Sequence, residues 1–459
     1  MGEMTPGTAL DRPDANERWR LPGAAVPASA NAGSAASQGA RRLEPMGAAF
    51  AVLLGFVVVY FIQPGQWFPS LAELPLEKMT GALALVAFAL SAMGQGGLHL
   101  RLPREIIYLM VLFLQLCAAM AFSPVWKGGA FQIVVMEFSK VVLITLLLVV
   151  AVTTLARLRN LMLVQALCIV VVTLCYLHAG NKLDGRLMGS PDGRYSNPND
   201  LALLIDLAVP FLIAFALLAR STRKKLLWAS LLCIMVYAVV LTYSRGGLLA
   251  LLAAVGVSLW EFGIKGRRTF LVLLASVGVI LLTATALTTR MGERLRSMSS
   301  PEEDESAYAS RVDREKLFWR SIHITEEHPL FGIGSGNFTV LSGNWHVTHN
   351  SYTELSAEGG IPALVLFLLM LWRSFRNLHH ARRAASGQPE VLVWIGGIRA
   401  ALACFLVGAC FVSCEYQFLP YFFVAYTSVL YRVSGAEEAS RSLEARELPQ
   451  ADAAGKVYA

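Results

Sequence analysis

The chain has 459 residues, of which 55% are hydrophobic and 15% charged, with a formal net charge of +7. Soluble chains carry about 25% charged residues, so this composition excludes an ordinary soluble enzyme and points to a polytopic membrane protein. The positive charge does not indicate nucleic acid, because the excess Lys and Arg sits in short connections between apolar runs, where it sets topology. The seven cysteines lie in or beside apolar runs without metal-site spacing and read as small buried residues.

Residues 1–45 are rich in Ala, Gly, Ser and Pro and lack an apolar signal region, so they read as a disordered cytoplasmic tail. Apolar windows of membrane-crossing length then recur over 46–62, 79–96, 105–123, 131–155, 160–178, 200–219, 226–242, 247–262, 269–288, 352–372, 391–413 and 416–431. The expected fold is all-α, with about twelve spans in a domain over 46–432 and a cytoplasmic C-terminal tail over 433–459.

Charge orients this domain. Arg101 and Arg104, Arg157 and Arg159, Arg220 to Lys225, Lys265 to Arg268, and Arg373 to Arg383 occupy alternate connections, and the connections between them are poor in Lys and Arg. This is the positive-inside pattern. It places both termini in the cytoplasm and the large, partly helical loop over 289–351 on the opposite, periplasmic side, with the 179–199 segment and the Thr242–Gly246 turn. Ionisable residues inside spans are costly and mark function. Glu137, Lys140, Asp206, Arg245, Glu354, Glu358 and Glu415 all fall in the outer half of this topology and predict an outward-facing polar cavity. Glu137 and Lys140, three apart, can equally neutralise each other.

The 181–200 segment is a series of Gly, Pro and Asn turns carrying Arg186 and Arg194, with Asn199 or Asp200 placed to cap the next helix. Arg245 in Thr242-Tyr-Ser-Arg-Gly-Gly lies where topology disfavours cations, so a bound anion is expected to offset it; the planar guanidinium suits phosphate. In the large loop, 307–326 reads as an amphipathic helix with Tyr308, Val312, Phe318, Trp319 and Ile322 on its apolar stripe and Arg311 and Arg314 beside it. A Gly-rich turn, Pro329 to Gly336, follows; it lacks the Gly-Lys-Ser/Thr ending of a P-loop and reads as backbone punctuation.

The loop holds four of the eight histidines. Ser351-Tyr-Thr-Glu354 reads as a capping box, which sets His349 just before a helix N-terminus. The positive helix end disfavours imidazolium and favours a nearby anion, so His349 should be a neutral proton acceptor beside an anion site.

Three patterns occur in order on this topology: Arg194-Tyr-Ser-Asn-Pro-Asn-Asp-Leu-Ala, Tyr-Ser-Arg245-Gly-Gly, and Pro-Leu-Phe-Gly-Ile-Gly-Ser-Gly-Asn-Phe followed by His349-Asn350-Ser-Tyr. With them the chain resembles the O-antigen ligase and polymerase superfamily of bacterial envelope polysaccharide enzymes. The resemblance implies a metal-independent glycosyltransferase of the helical membrane fold called GT-C, without a cofactor, in the inner membrane. Its donor would be a glycan on undecaprenyl diphosphate, and its acceptor a polysaccharide or a lipid A–core sugar. By the same resemblance His349 would be the general base, Arg245 with Arg186 or Arg194 would grip the diphosphate, and Arg311 would assist; Asn350, Glu354 and Asn199 would support them. A protein O-oligosaccharyltransferase of the same superfamily is the alternative within the class. A flippase or transporter of lipid-linked glycan is the alternative outside it; it predicts midplane charges and matched broken spans in two halves, which the sequence does not show.

Overall fold

The computed structural model describes residues 46–93, 102–183, 185–191, 193–268, 278, 305–342, 346–385 and 387–435. The N-terminal tail, nearly all of the expected span over 269–288, the start of the large loop and most of the C-terminal tail lie outside these residues.

Among the described residues the chain is helical throughout, apart from one two-stranded ladder. Ten helical segments are long and apolar enough to cross a membrane: α1 (Gly47–Ile62, continued by a 3-10 turn to Gln66), α2 (Leu76–Met93), α3 (Arg104–Ala121), α4 (Lys127–Ala151), α5 (Leu155–Ala179), α6 (Pro198–Leu218), α7 (Thr222–Leu241), α8 (Arg245–Ile264), α10 (Ser351–Ala384) and α11 (Pro389–Gly408). Between α8 and α10 lies α9 (Glu305–Glu327), and the last helix is α12 (Phe418–Val433). The chain is an all-α, multi-pass membrane protein. The expected last span is α12, which has 16 residues and is buried along almost all of its length.

Burial orders the bundle. The apolar windows of α6 and α11 are 78% and 72% buried, against 11% for α2 and 17% for α7. The first two form the core, and the last two turn most of their apolar surface outward. α6 packs on α7, α8 and α11, while α10 packs on α3 and α12. Lipid is as apolar as leucine, so close backbone approach and packing hold such helices together. Gly247 shows this: a Cβ there would sit 2.5 Å from Cβ of Ala202, so α8 meets α6 at glycine distance.

Two local readings of the sequence shift in the structure. The cap of α6 is Asn197, whose Oδ1 accepts from N of Asn199 at 2.8 Å, rather than Asn199 or Asp200. Pro198 takes the first helical position, where its missing N–H costs nothing. The α9 stripe also moves: Leu317, Ser321 and Ile324 are buried, whereas Phe318 and Trp319 are 37% and 62% exposed.

α10 is two helices joined by a break. Gly360 has φ 79°, and a Cβ on it would meet the Leu330 carbonyl oxygen at 2.5 Å. The Gly-rich turn of the large loop docks on this break. N of Ile333 donates to O of Ala357, N of Gly334 to O of Glu358, and N of Ile361 to O of Pro329, at 2.8–2.9 Å. Gln115 of α3 donates to O of Leu330 and O of Gly359. The turn that reads as punctuation in the sequence is thus the clamp joining the loop to the membrane helices.

Candidate functional site

His349 lies at the mouth of α10, in the left-handed region at φ 55°. That conformation costs a non-glycine residue roughly 1–2 kcal/mol, so its surroundings must hold it. Asn350, not Ser351, is the cap: its Oδ1 accepts from N of Tyr352 and N of Thr353 at 3.0 and 3.3 Å. The capping box of the sequence is therefore one residue out of register, and the freed side chains hold the loop. Ser351 Oγ donates to O of Val412 and accepts from N of Cys414. The Glu354 carboxylate accepts from N and Oγ1 of Thr348 at 3.0 and 2.8 Å, and from Ser413 Oγ. It thereby fixes the residue next to His349.

Burial, then the charge of Arg314, then His346, pushes the His349 imidazole down to about 4. A neutral imidazole is the form that accepts a proton. The sequence argued for neutrality from the helix end; burial and a neighbouring cation supply it here.

A second cluster gathers around α6 and α8. Arg186 lies on a two-residue hairpin, Lys182–Leu183 paired antiparallel with Arg186–Leu187. Its Nε donates to O of Thr242 at 3.0 Å and its Nη2 to Oδ1 of Asn199 at 3.1 Å. The same Asn199 oxygen accepts from Ser244 Oγ at 2.7 Å, and Ser244 caps α8 by accepting from N of Gly247. Arg245 is the first residue of α8. Three segments, the hairpin, the start of α6 and the start of α8, are tied through one buried asparagine.

Asp200, the next residue, ties the two clusters together. Arg314 acts electrostatically on both Asp200 and His349. Arg314 belongs to the inward side of α9 with Leu317 and Ser321, while Arg311 is exposed one turn earlier. The sequence noted both arginines, and the resemblance named Arg311; it is Arg314 that stands on the less exposed side of the helix. Asp200 was legible only as a cap candidate.

Arg194 is placed differently. Its Nη2 reaches both carboxylate oxygens of Glu77 at 3.1 Å, its Nη1 donates to O of Tyr60, and its guanidinium stacks 4.2 Å over the Tyr60 ring. The structure thus places Arg186, not Arg194, beside Asn199 and Ser244.

Below His349, Glu354, Glu358 and Glu415 are buried with ligand oxygens within 4.8 Å of one another, a spacing that could hold a metal ion. Protein donors already occupy two of them. Glu358 accepts from N of Gly336, N of Phe338 and the Tyr416 hydroxyl at 2.8–2.9 Å, and Glu354 is filled as described. Burial, then the charges of Glu354 and Glu358, push the Glu415 carboxyl well up, so it keeps its proton. The trio reads as a bracket that binds the Gly-rich turn, α10 and the 413–416 segment.

Residues 230–368 match the family described as O-antigen ligase. The match takes in Arg245, α9, His349, Glu354 and Glu358, and ends just past the break in α10. Comparison with curated proteins and with solved structures returns no match. The segment 230–368, which carries the loop, the base candidate and the start of α8, supports the resemblance to the O-antigen ligase and polymerase superfamily.

Proposed function

We propose that this chain transfers a glycan from undecaprenyl diphosphate to a sugar hydroxyl, in a GT-C-type site at the periplasmic face of the bacterial inner membrane. The observation that carries the reading is the convergence on the first turn of α6: Asn199 holds Arg186 and Ser244, and Asp200 shares Arg314 with His349. Segments far apart in sequence thereby bring a neutral base and three arginines, Arg186, Arg245 and Arg314, to one end of the bundle.

In this reading His349 takes the proton of the acceptor hydroxyl as its oxygen attacks the anomeric carbon. The bond from that carbon to the diphosphate breaks, and its electron pair leaves on the diphosphate oxygen. Arg186 and Arg245 stabilise the departing charge, and Arg314 both adds to the positive field and holds His349 neutral. Asn199 positions Arg186; Asn350 and Glu354 position His349. Arg194 is a structural tie, and Arg311 carries no step. The arginines supply the charge neutralisation that a divalent cation supplies elsewhere, so the reaction is independent of metal. The acceptor is a growing lipid-linked polysaccharide or a lipid A–core sugar.

The test is reconstitution of the purified chain with an undecaprenyl-diphosphate glycan and each acceptor class, with EDTA present. Release of undecaprenyl diphosphate together with a lengthened acceptor supports the reading. Movement of the lipid across the bilayer without cleavage refutes it in favour of transport.

A further inference from the structure

A cavity of about 1140 Å³ lies between α1, α2 and α4, with residues 416–418 also in its lining. Phe56 and Val59 of α1, Ala82 and Leu85 of α2, and Leu143 and Ile144 of α4 give it apolar walls. Its polar end carries Lys78, Lys140 and Arg194 against Glu77 and Glu137, an excess of one positive charge. Two ion pairs organise that end, Arg194 with Glu77 at 3.1 Å and Lys140 with Glu137 at 2.9 Å. A π-helical turn, Gln132–Phe138, interrupts α4 where it lines the cavity; such turns often mark functional sites.

The outer wall is α2, the least buried of the candidate spans. Its Met79, Leu83, Val86 and Leu90 are 54–65% exposed. A helix with such a surface faces lipid, so the cavity behind it is bounded by the bilayer on that side. Apolar walls among membrane spans, with paired charges at one end only, match an amphiphile: a hydrocarbon tail and a charged head. None of Arg186, Arg245, Arg314 and His349 lines this cavity.

We propose that the cavity binds one membrane lipid with a phosphate headgroup, its tail between α1, α2 and α4 and its phosphate among Lys78, Lys140 and Arg194, where one positive charge is in excess over Glu77 and Glu137. The site is separate from the Arg186 and His349 clusters, and the proposal stands whatever reaction those clusters perform. Tyr416 connects the two regions: it lines the cavity and donates to Glu358, which holds the Gly-rich turn.

The test is native mass spectrometry of the full-length chain in detergent, titrated separately with phosphatidylglycerol, phosphatidylethanolamine, undecaprenyl phosphate and diacylglycerol. The wild type should retain one phosphate-bearing lipid and hold diacylglycerol about tenfold more weakly. Ala82→Trp, which fills the cavity, and Lys140→Gln, which removes a cation, should each weaken retention about tenfold without altering the helical circular dichroism. Preference for the two phospholipids identifies a bulk membrane lipid, and preference for undecaprenyl phosphate identifies a carrier lipid; either supports the phosphate-lipid site. Equal retention by wild type and a folded Ala82→Trp chain overturns the proposal, as does diacylglycerol binding as tightly as the phospholipids.

Discussion

The two polar ends of the bundle are built on opposite rules. At the end away from His349, cations and carboxylates are matched inside the protein. Glu261 takes Lys265 at 3.0 Å, Arg399 at 2.5 Å and Arg382. Glu105 accepts from Asn377 at 2.7 Å, with Arg373 at 3.8 Å. Arg432 and Arg157 end on the carbonyls of Val149, Val152 and Ala151. At the His349 end, three buried carboxylates crowd together, Arg186 bonds O of Thr242 and Oδ1 of Asn199, and the imidazole is pressed into its neutral form beside Arg314. A matched set fixes geometry and asks for nothing more. The difference separates an end held by matched ion pairs from the end where the candidate site residues gather.

The sharpest way to break this contrast is His349→Ala. Loss of a general base costs about 10²–10⁴ in rate, and in the reconstituted transfer assay the variant should fall by that much while its circular dichroism stays that of the wild type. Turnover equal to wild type removes His349 from the base role. Arg186→Ala comes next. It empties the Asn199 and Thr242 acceptors and removes one proposed phosphate ligand, so kcat/KM should drop about 10²-fold, the scale of losing one charge-stabilising donor. Arg194→Ala, measured alongside, should cost more in thermal stability than in kcat/KM, and the reverse ranking would exchange the two arginines.

A pH profile sharpens the Arg314 assignment. With the His349 imidazole at about 4, it is unprotonated above that pH, so wild-type kcat/KM should fall only as pH drops through about 4. Arg314→Ala removes a cation that disfavours imidazolium, so the imidazole titrates higher and the acid limb moves upward toward the ordinary histidine range. An unmoved acid limb separates Arg314 from His349. The smallest effect on turnover is expected at the matched end. Glu261→Gln strands three cations, so the unfolding midpoint should drop by about 4 °C or more while kcat stays within about twofold of wild type.

The multi-pass helical character was legible because lipid imposes long apolar runs on any helix that crosses it, and ten helices of that length stand among the described residues. The mouth of α10 was nearly legible: the sequence named His349, Asn350 and Glu354 but put the cap one residue late. Local spacing suits Ser351, and what displaces it is a contact to Val412 and Cys414 from the far side of the bundle. The choice between Arg186 and Arg194 was not legible. Both lie on one turn-rich loop, and what separates them is Glu77, 117 residues from Arg194, and Thr242, 56 residues from Arg186. The ranking of Arg311 and Arg314 turns on which side of α9 faces inward. The aromatic residues suggested one side, but small Ser321 between Leu317 and Ile324 lets the other pack.

The break at Gly360 gives His349 an independence that a continuous helix would deny it. Bilayers differ in thickness, and a spanning helix answers by tilting. In an unbroken α10 that tilt would swing Asn350 and His349 with it. Here the ladder is interrupted, and N of Ile361 bonds the loop at Pro329 instead of the preceding turn. The segment before the joint is fastened to the Gly-rich turn, so the part beyond it can follow the membrane while the imidazole stays in register with the loop. Turnover in vesicles of short- and long-chain lipids should therefore be nearly equal, and Gly360→Ala should make it depend on chain length.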